Sequence, residues 1–314
     1  MNLSFEKWHG CRNDFILIRI TDDMIFRSLV NQAGSLCTRA GDGIGADGIL
    51  VLHFDKKGDH LPARFSVINS DGSIAATCGN GIRCAASSIL QEWRESVGRV
   101  PDEIQAGIEI PLTLGGSVNC RFMGDPPAGF PLVAVDMGIP ANNAANTIHA
   151  KARDEVSRVA GELGLEQLTG RWGSCEISNQ HLVFFLEETD QELLQQVGKA
   201  FQQSRTWDGI NVHLAVEKEP DSRDQATARK EIGHEIGALY DVLPWERGAG
   251  ATAACGSGAC AVASLALEDG FTDRSEWIGI QMPGGRLYIR HDQPDESVIM
   301  AGPARRVFTG NVEL

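Results

Sequence analysis

The sequence predicts an α/β protein of two similar halves, each grouping its strands around one central helix. Three observations carry that expectation. The chain has 314 residues, enough for two domains that each bury a core. A segment of the form Cys-Gly-x-Gly occurs twice, as Cys78-Gly79-Asn80-Gly81 and as Cys255-Gly256-Ser257-Gly258, each time running into an apolar stretch with helical spacing. The strand-like runs of the second half retrace those of the first.

Taken in order, His9-Gly10-Cys11-Arg12-Asn13-Asp14 reads as a polar turn before a strand at Phe15–Ile20, and Met24–Ala33 as a short helix. The run from Gly41 to Gly48 precedes a strand, Ile49–Phe54, instead of following one into a helix. That is the reverse of a dinucleotide loop, so a tight backbone turn is expected. Arg64–Asn69 is a strand that ends in the turn Asn69–Ser73. After Cys78 the apolar residues Ile82, Ala85, Ala86, Ile89, Leu90 and Trp93 lie on one helix face. Strands at Ile108–Leu114, Ser117–Phe122 and Leu132–Met137 follow, the last flanked by the turn Pro126–Gly129 and the polar stretch Ala141–Asn146. The division between halves falls near that strand.

In the second half, Lys151–Leu163 and Gln191–Gln203 read as helices, with a turn at Ser178–Gln180 and a strand at His181–Leu186 between them. Ile210–Val216 is a strand, Glu217–Lys230 a solvated excursion, and Glu231–Val242 a return to the core. Ala259–Leu267 is apolar nearly all round, which predicts a buried helix. Trp277–Met282, Arg286–Arg290, Val298–Met300 and Val307–Leu314 close the chain as strands.

Composition narrows the function. Acidic residues outnumber basic ones, 42 to 28, for a net charge of −14, which argues against nucleic-acid and anionic-membrane partners. No apolar run approaches a membrane span and the N-terminus lacks a signal core, so a cytoplasmic protein is expected. The eight cysteines lack the paired spacing of a structural zinc site, and no metal is expected. Cys11, Cys37, Cys84, Cys120, Cys175 and Cys260 read as small buried hydrophobes.

Cys78 and Cys255 stand apart because each begins a helix. Free N–H groups and the positive end of the helix dipole favour an anion there and can lower a cysteine pKa from about 8.5 to between roughly 3.5 and 7.5. The backbone of Gly79, Asn80, Gly256 and Ser257 can receive a carboxylate. Two matched copies point to two thiols facing one anionic ligand.

The run Asn69-Ser70-Asp71-Gly72-Ser73 to Gly81, and the run Glu246-Arg247-Gly248 to Gly258, resemble the two signatures of the diaminopimelate epimerase family. His9-Gly10 with Asn13-Asp14-Phe15 matches its opening motif, and Gly43–Gly48 its glycine-rich loop. The resemblance spans nearly the whole chain. It implies an α+β fold of two pseudo-symmetric domains, each a curled, mainly antiparallel sheet around a central helix: 1–133, completed by 302–314 crossing back, and 134–301. It further implies an isomerase without a cofactor that interconverts L,L- and meso-diaminopimelate for lysine and, in bacteria, peptidoglycan precursor synthesis. A homodimer is also implied.

By the same resemblance Cys78 and Cys255 are the acid–base pair, His181 tunes a thiol, and Glu246 orders the acid–base network and contacts ligand. Asn69, Asn179, Asn211 and Arg247 match the clamp on the distal end of the substrate, and Asn13 a further ligand contact. Read by themselves, His181 would be a core histidine, Arg247 a surface charge and the asparagines turn or cap residues. Trp8 and Trp245 read as packing residues and His9 as making a structural hydrogen bond. Lys199, Arg205 and the charges of 217–230 need no role beyond solubility.

The chain departs from the family pattern at Arg12, usually glycine, at Gln180, usually proline, and at Ala251, usually acidic. The connection from Asn211 to Glu246 is also longer. These departures motivate a second reading, a racemase of the same scaffold acting on another amino acid such as histidine. A third reading, a non-catalytic thiol or metal-binding protein, lacks the metal spacings.

Overall fold

A computed structural model describes residues 1–123, 132–143, 148–204, 206, 209–270 and 276–314. The expected turn at Pro126–Gly129, the end of the polar stretch after Asn143, and Arg205 lie outside the described residues. The chain falls into two compact units, Met1–Val135 with Gly302–Leu314, and Asp136–Ala301.

The first unit is a 6-stranded sheet in the order Arg305–Glu313, Asn2–Gly10, Asn13–Ile20, Gly48–His53, Arg64–Asn69, Ile74–Ala75. Neighbours are antiparallel except Asn13–Ile20 with Gly48–His53. One face, through Ile16, Ile18, Ile49, Val51 and Ile68, packs on the helix Asp23–Cys37. The helix Gly79–Val97 packs against the same sheet where Gly81 meets Leu50; a Cβ at Gly81 would come within 2.8 Å of the Leu50 side chain. The predicted face of that helix is buried, and Ile82, Ile89 and Leu90 are at most 2% exposed. Each contributes roughly 1.5–3 kcal/mol through burial. Ile108–Pro111, Ser117–Met123 and Leu132–Asp136 add an antiparallel ribbon.

Two expectations for this unit need correction. His9-Gly10 is not turn but the end of a strand, Asn2–Gly10, whose hairpin with Asn13–Ile20 turns on Cys11 and Arg12 alone. Both have positive φ, 52° and 64°, as a two-residue hairpin turn of primed type requires. Glycine suits that conformation, so Arg12 carries a backbone cost of about 1–2 kcal/mol that glycine would avoid. His9 Nδ1, expected to make a structural hydrogen bond, is buried without a partner among the described residues. The Gly41–Gly48 run is the tight turn expected: Ile44 and Gly45 both donate to the Leu36 carbonyl, and a Cβ at Gly43 would lie 2.2 Å from the Thr38 carbonyl oxygen.

The second unit's strands run in the order Ile299–Pro303, Gly285–Arg290, Trp277–Met282, Ile236–Glu246, Asn211–Lys218, Asn179–Leu186, Arg171–Ile177, Ala141–Asn142. Two neighbouring pairs are parallel: Asn179–Leu186 with Asn211–Lys218, and Ile236–Glu246 with Trp277–Met282. Leu182, Phe184, Val212 and Leu214 pack with Val156, Val197, Phe201 and Trp245, which brings the helices His149–Leu163 and Gln191–Gln202 onto that face. Strand alternation sends His181, Val183, Asn211 and His213 to the other face. There His213 meets Gly258 of the helix Gly256–Glu268, which is buried along nearly its whole length as predicted.

The excursion at 217–230 also differs from expectation. Ser222–Ile232 is a helix, started by a capping box in which Asp221 and Asp224 satisfy each other's backbone N–H groups. Its mean polarity masked an apolar edge: Ala228 and Ile232 are buried. The strand Arg171–Ile177 was not anticipated, and the turn after it sits on Ser178 at φ 57°, so Asn179 and Gln180 belong to the next strand.

Candidate active site

Cys78 caps the helix Gly79–Val97 from an extended backbone, φ −150° and ψ 102°, and its Sγ accepts the Gly81 N–H at 3.4 Å. Its carbonyl accepts from Ile82 at 2.8 Å. Cys255 repeats the arrangement with φ −130° and ψ 111°, Sγ accepting from Gly258 at 3.4 Å and the carbonyl from Ala259 at 2.9 Å. In both helices the cap takes the third and fourth N–H groups. Helix geometry offers no intrahelical acceptor to the first two, those of Gly79 and Asn80 and of Gly256 and Ser257. These are the amides expected to receive a carboxylate.

Around Cys78 the side chains form a fixed polar chain. Asn80 is buried, accepts from Arg83 at 2.9 Å and donates to Asn13 Oδ1 at 3.2 Å. Asn13 donates to Asp47 at 2.7 Å, and Asp47 pairs with Arg39 at 2.7 Å. Lys7, nearly fully buried, pairs with Asp14 at 2.6 Å and donates to the Gly45 carbonyl. Burial opposes ionisation of Asp14, but its bonds to Arg39 and Lys7 outweigh that and hold the carboxyl below its ordinary range. The glycine-rich loop therefore anchors the strand that presents Asn13. Asn69 lies at the end of its strand, where its side chain donates to Ser73 Oγ at 2.9 Å.

Around Cys255 the electrostatics differ from the sequence expectation. The thiol is 4% exposed, and its pKa is pushed up, not down. Burial is the largest cause, followed by the negative charge of Glu246; the Ser257 and Gly258 hydrogen bonds oppose both without overcoming them. One helix terminus, a partial charge of about half a unit, does not compensate for full desolvation of a thiolate. The Glu246 carboxylate is oriented by the Thr252 hydroxyl at 2.6 Å. The other six cysteines are buried, as expected, with Cys37 and Cys120 pushed up to about 11 and 12 by desolvation.

His181 is fully buried beside Cys255. The residue missing from the sequence reading is His213, also fully buried, whose Nε2 lies 2.9 Å from His181 Nδ1. The parallel register sets His181 opposite Asn211, and His213 is two residues further on the same face. The period-two rule applied to Asn211 would have found it. One nitrogen from each histidine and the Cys255 Sγ lie within 4.8 Å of one another. Residue spacing could not show this cluster, whose members come from two strands and a helix start.

Asn179, Asn211 and Arg247 line one cleft of about 190 Å³ with Glu176, Ser178, Gln180, Gly209 and Ile210. Asn211 Oδ1 accepts the Arg247 backbone N–H at 2.9 Å. Gly209, at φ 74°, lets the Arg247 stem pass; a Cβ there would sit 2.7 Å from Arg247 Cγ. Gln180, one of the departures from the family pattern, faces this same cleft, whereas Ala251 is an exposed residue paired with Trp245. A larger cleft of about 260 Å³, lined by Glu6, Arg19, Glu92, Glu95 and Arg306, holds interlocking ion pairs and none of the expected site residues. Trp8 and Trp245 are packing residues, Trp8 donating to Glu6 at 2.7 Å and Trp245 lying against Gly198.

The sequence model of the diaminopimelate epimerase family matches residues 5–127 and 174–307. The chain is 32% identical over 312 residues to a diaminopimelate epimerase of Nostoc punctiforme, covering 99% of this chain and 100% of that one. It is 35% identical over 317 residues to one from Synechococcus sp. strain JA-3-3Ab, covering 98% and 97%. Among solved structures, a predicted epimerase from Pseudomonas aeruginosa superimposes with a TM-score of 0.65 at 14% identity, covering 99% of both chains. A phenazine biosynthesis protein of the PhzF family from Bacillus anthracis gives 0.62 at 11% identity, covering 100% of both. These two share the mixed α/β fold with its mainly antiparallel sheets.

Proposed function

This chain belongs to the diaminopimelate epimerase family, and from that premise we propose that it interconverts L,L- and meso-diaminopimelate with Cys78 and Cys255 as its acid–base pair. The observation that carries the assignment is the duplicated cap: two thiols, each fixed by the N–H three residues on, each followed by two amides with no helical partner.

In the proposed reaction, a thiolate removes the α-proton and becomes a thiol, leaving the electron pair on the α-carbon. The other thiol delivers its proton to the opposite face and becomes the thiolate. No proton is gained or lost overall, and the reverse reaction exchanges the two roles. The amides of Gly79, Asn80, Gly256 and Ser257 receive the reacting carboxylate and stabilise the charge that spreads onto it. Cys255, kept protonated by burial and by Glu246, is the acid of the resting protein; Cys78, only half-buried, takes the base role.

Arg247 in the 190 Å³ cleft supplies a cation for the distal carboxylate, and Asn179 and Asn211 line that cleft as polar partners for the distal amino-acid end. By the family resemblance Asn69 is a further partner for the distal end and Asn13 a further ligand contact; Asn13 Oδ1 accepts from Asn80 at 3.2 Å. The homodimer belongs to this reading on the family resemblance alone and is tested by sedimentation.

Incubation of the reduced protein in D₂O with diaminopimelate and a panel of other amino acids tests the assignment. Deuterium is expected at the α-position of diaminopimelate, and Cys78→Ser and Cys255→Ser each abolish racemisation. Incorporation into histidine or another single-ended amino acid would assign a racemase of the same scaffold instead. Full activity in both serine variants would remove the two-thiol mechanism.

A further inference from the structure

We infer that His213 is a positioning residue of this site, holding His181 in a single tautomer beside Cys255; the inference rests on the reading of Cys255 as a catalytic thiol. The Ile177 carbonyl can only accept. Its 3.3 Å contact with His181 Nε2 places the ring proton there. A neutral imidazole carries one N–H, so His181 Nδ1 is a lone pair, and the 2.9 Å contact to His213 is a hydrogen bond donated by His213 Nε2. His213 Nδ1 is then the bare nitrogen of the pair, and it is buried without a hydrogen-bond partner.

Two further observations keep the pair in this state. Both rings are fully buried and their pKa values are pushed down, so neither carries charge near neutral pH. The His213 ring is also wedged against the start of the cysteine helix. A Cβ at Gly258 would stand 2.3 Å from His213 Cε1 and 2.6 Å from Nε2, so the ring fills the space a side chain would take. Gly258 is the same residue whose N–H caps the Cys255 thiol. His213 thus touches both partners: it donates to His181 and props the helix turn that carries Cys255.

The consequence is electrostatic. With His181 Nδ1 occupied by a neutral donor, the ring cannot become an imidazolium facing the thiol. Glu246 is then the charged neighbour that sets the thiol's proton affinity. Loss of His213 would leave the His181 lone pair free to accept the Cys255 proton itself, which would favour the thiolate.

The test follows Cys255 directly. In a Cys78→Ala background, the pH dependence of Cys255 alkylation by iodoacetamide is measured by mass spectrometry for His213→Leu, which keeps bulk without a donor, and His213→Gln, which keeps an amide N–H. The leucine variant is expected to shift the alkylation midpoint down by about one pH unit. With Cys78 restored, it is expected to lower kcat roughly tenfold with KM little changed. Glutamine is expected to restore both. A folded leucine variant with the wild-type midpoint, or a glutamine variant shifted as far as leucine, overturns the inference.

If leucine does not fold, ¹⁵N spectra of histidine-labelled wild-type protein decide. Two non-titrating rings, both protonated at Nε2, are expected; a His181 ring protonated at Nδ1, or titrating near neutrality, overturns the assignment. A wild type that exchanges no α-proton would instead sink the functional reading, leaving the alkylation and spectral results to judge the pair alone.

Discussion

Gly258 and His213 occupy each other's space. A methyl group added at residue 258 would lie 2.3 Å from His213 Cε1, where real carbon atoms are not found. Gly258→Ala must therefore displace a fully buried ring or the first turn of the helix that carries Cys255. The expected loss is about 1–3 kcal/mol of stability, the usual cost of overpacking a filled core. Urea unfolding of the variant measures it; an unchanged midpoint would mean the ring has room to move.

The opposite sign is expected at Arg12. It holds φ 64° in a two-residue hairpin turn, a conformation that costs a non-glycine residue about 1–2 kcal/mol. Glycine removes that strain but loses more entropy on folding, so Arg12→Gly should stabilise by about 0.5–1 kcal/mol. A lower melting temperature in the variant would show that the Arg12 side chain contributes more than its backbone costs.

Acid should weaken the fold through its buried histidines. His53 and His181 are both pushed down to about 4 from an ordinary 6.5, mainly by burial. Between those values the unfolded chain binds a proton on each ring that the folded protein refuses. Stability therefore rises with pH through this window and is lost as pH falls from 6.5 toward 4. The loss is on the order of 1–3 kcal/mol per ring, read from urea midpoints near pH 7 and pH 4.5. Replacing His53 with Asn should flatten the profile.

Gly209→Ala addresses the cleft. Its positive φ and the 2.7 Å approach to Arg247 Cγ mean that a side chain there pushes the arginine aside. KM for diaminopimelate is expected to rise about tenfold, the loss of one charge-assisted contact, with kcat changed less. Equal falls in kcat and kcat/KM with unchanged KM would place Arg247 in the chemical step instead.

Asp221 should matter to stability alone. It caps the helix Ser222–Ile232 through the N–H groups of Arg223 and Asp224, each at 2.8 Å. Asp221→Ala is expected to cost about 1 kcal/mol and leave α-proton exchange untouched. Lost activity in a folded variant would tie this added segment to catalysis.

Much of the fold was legible because its signals are local. Both cysteine caps follow from a thiol three residues ahead of a glycine N–H at the start of an apolar helical run. The helix Gln191–Gln202 was expected at Gln191–Gln203, and the structure caps its start with Asp190. What escaped had conflicting local signals. Asn2–Gly10 carries Glu6, Lys7 and His9 and looks solvated, but it is sandwiched between two strands, one of them from the chain's far end. Ser222–Ile232 hid its short apolar edge within a strongly charged stretch.

The sequence by itself determined which residues begin the two cysteine helices and which glycines permit their turns, since each is written within a few neighbouring positions. Tertiary structure alone decided the state of the Cys255 thiol and the company it keeps. Desolvation depends on what packs around a group, and it overrides the helix terminus at Cys255. The His181–His213 bond depends on strand register, joining residues 32 positions apart that no local pattern pairs.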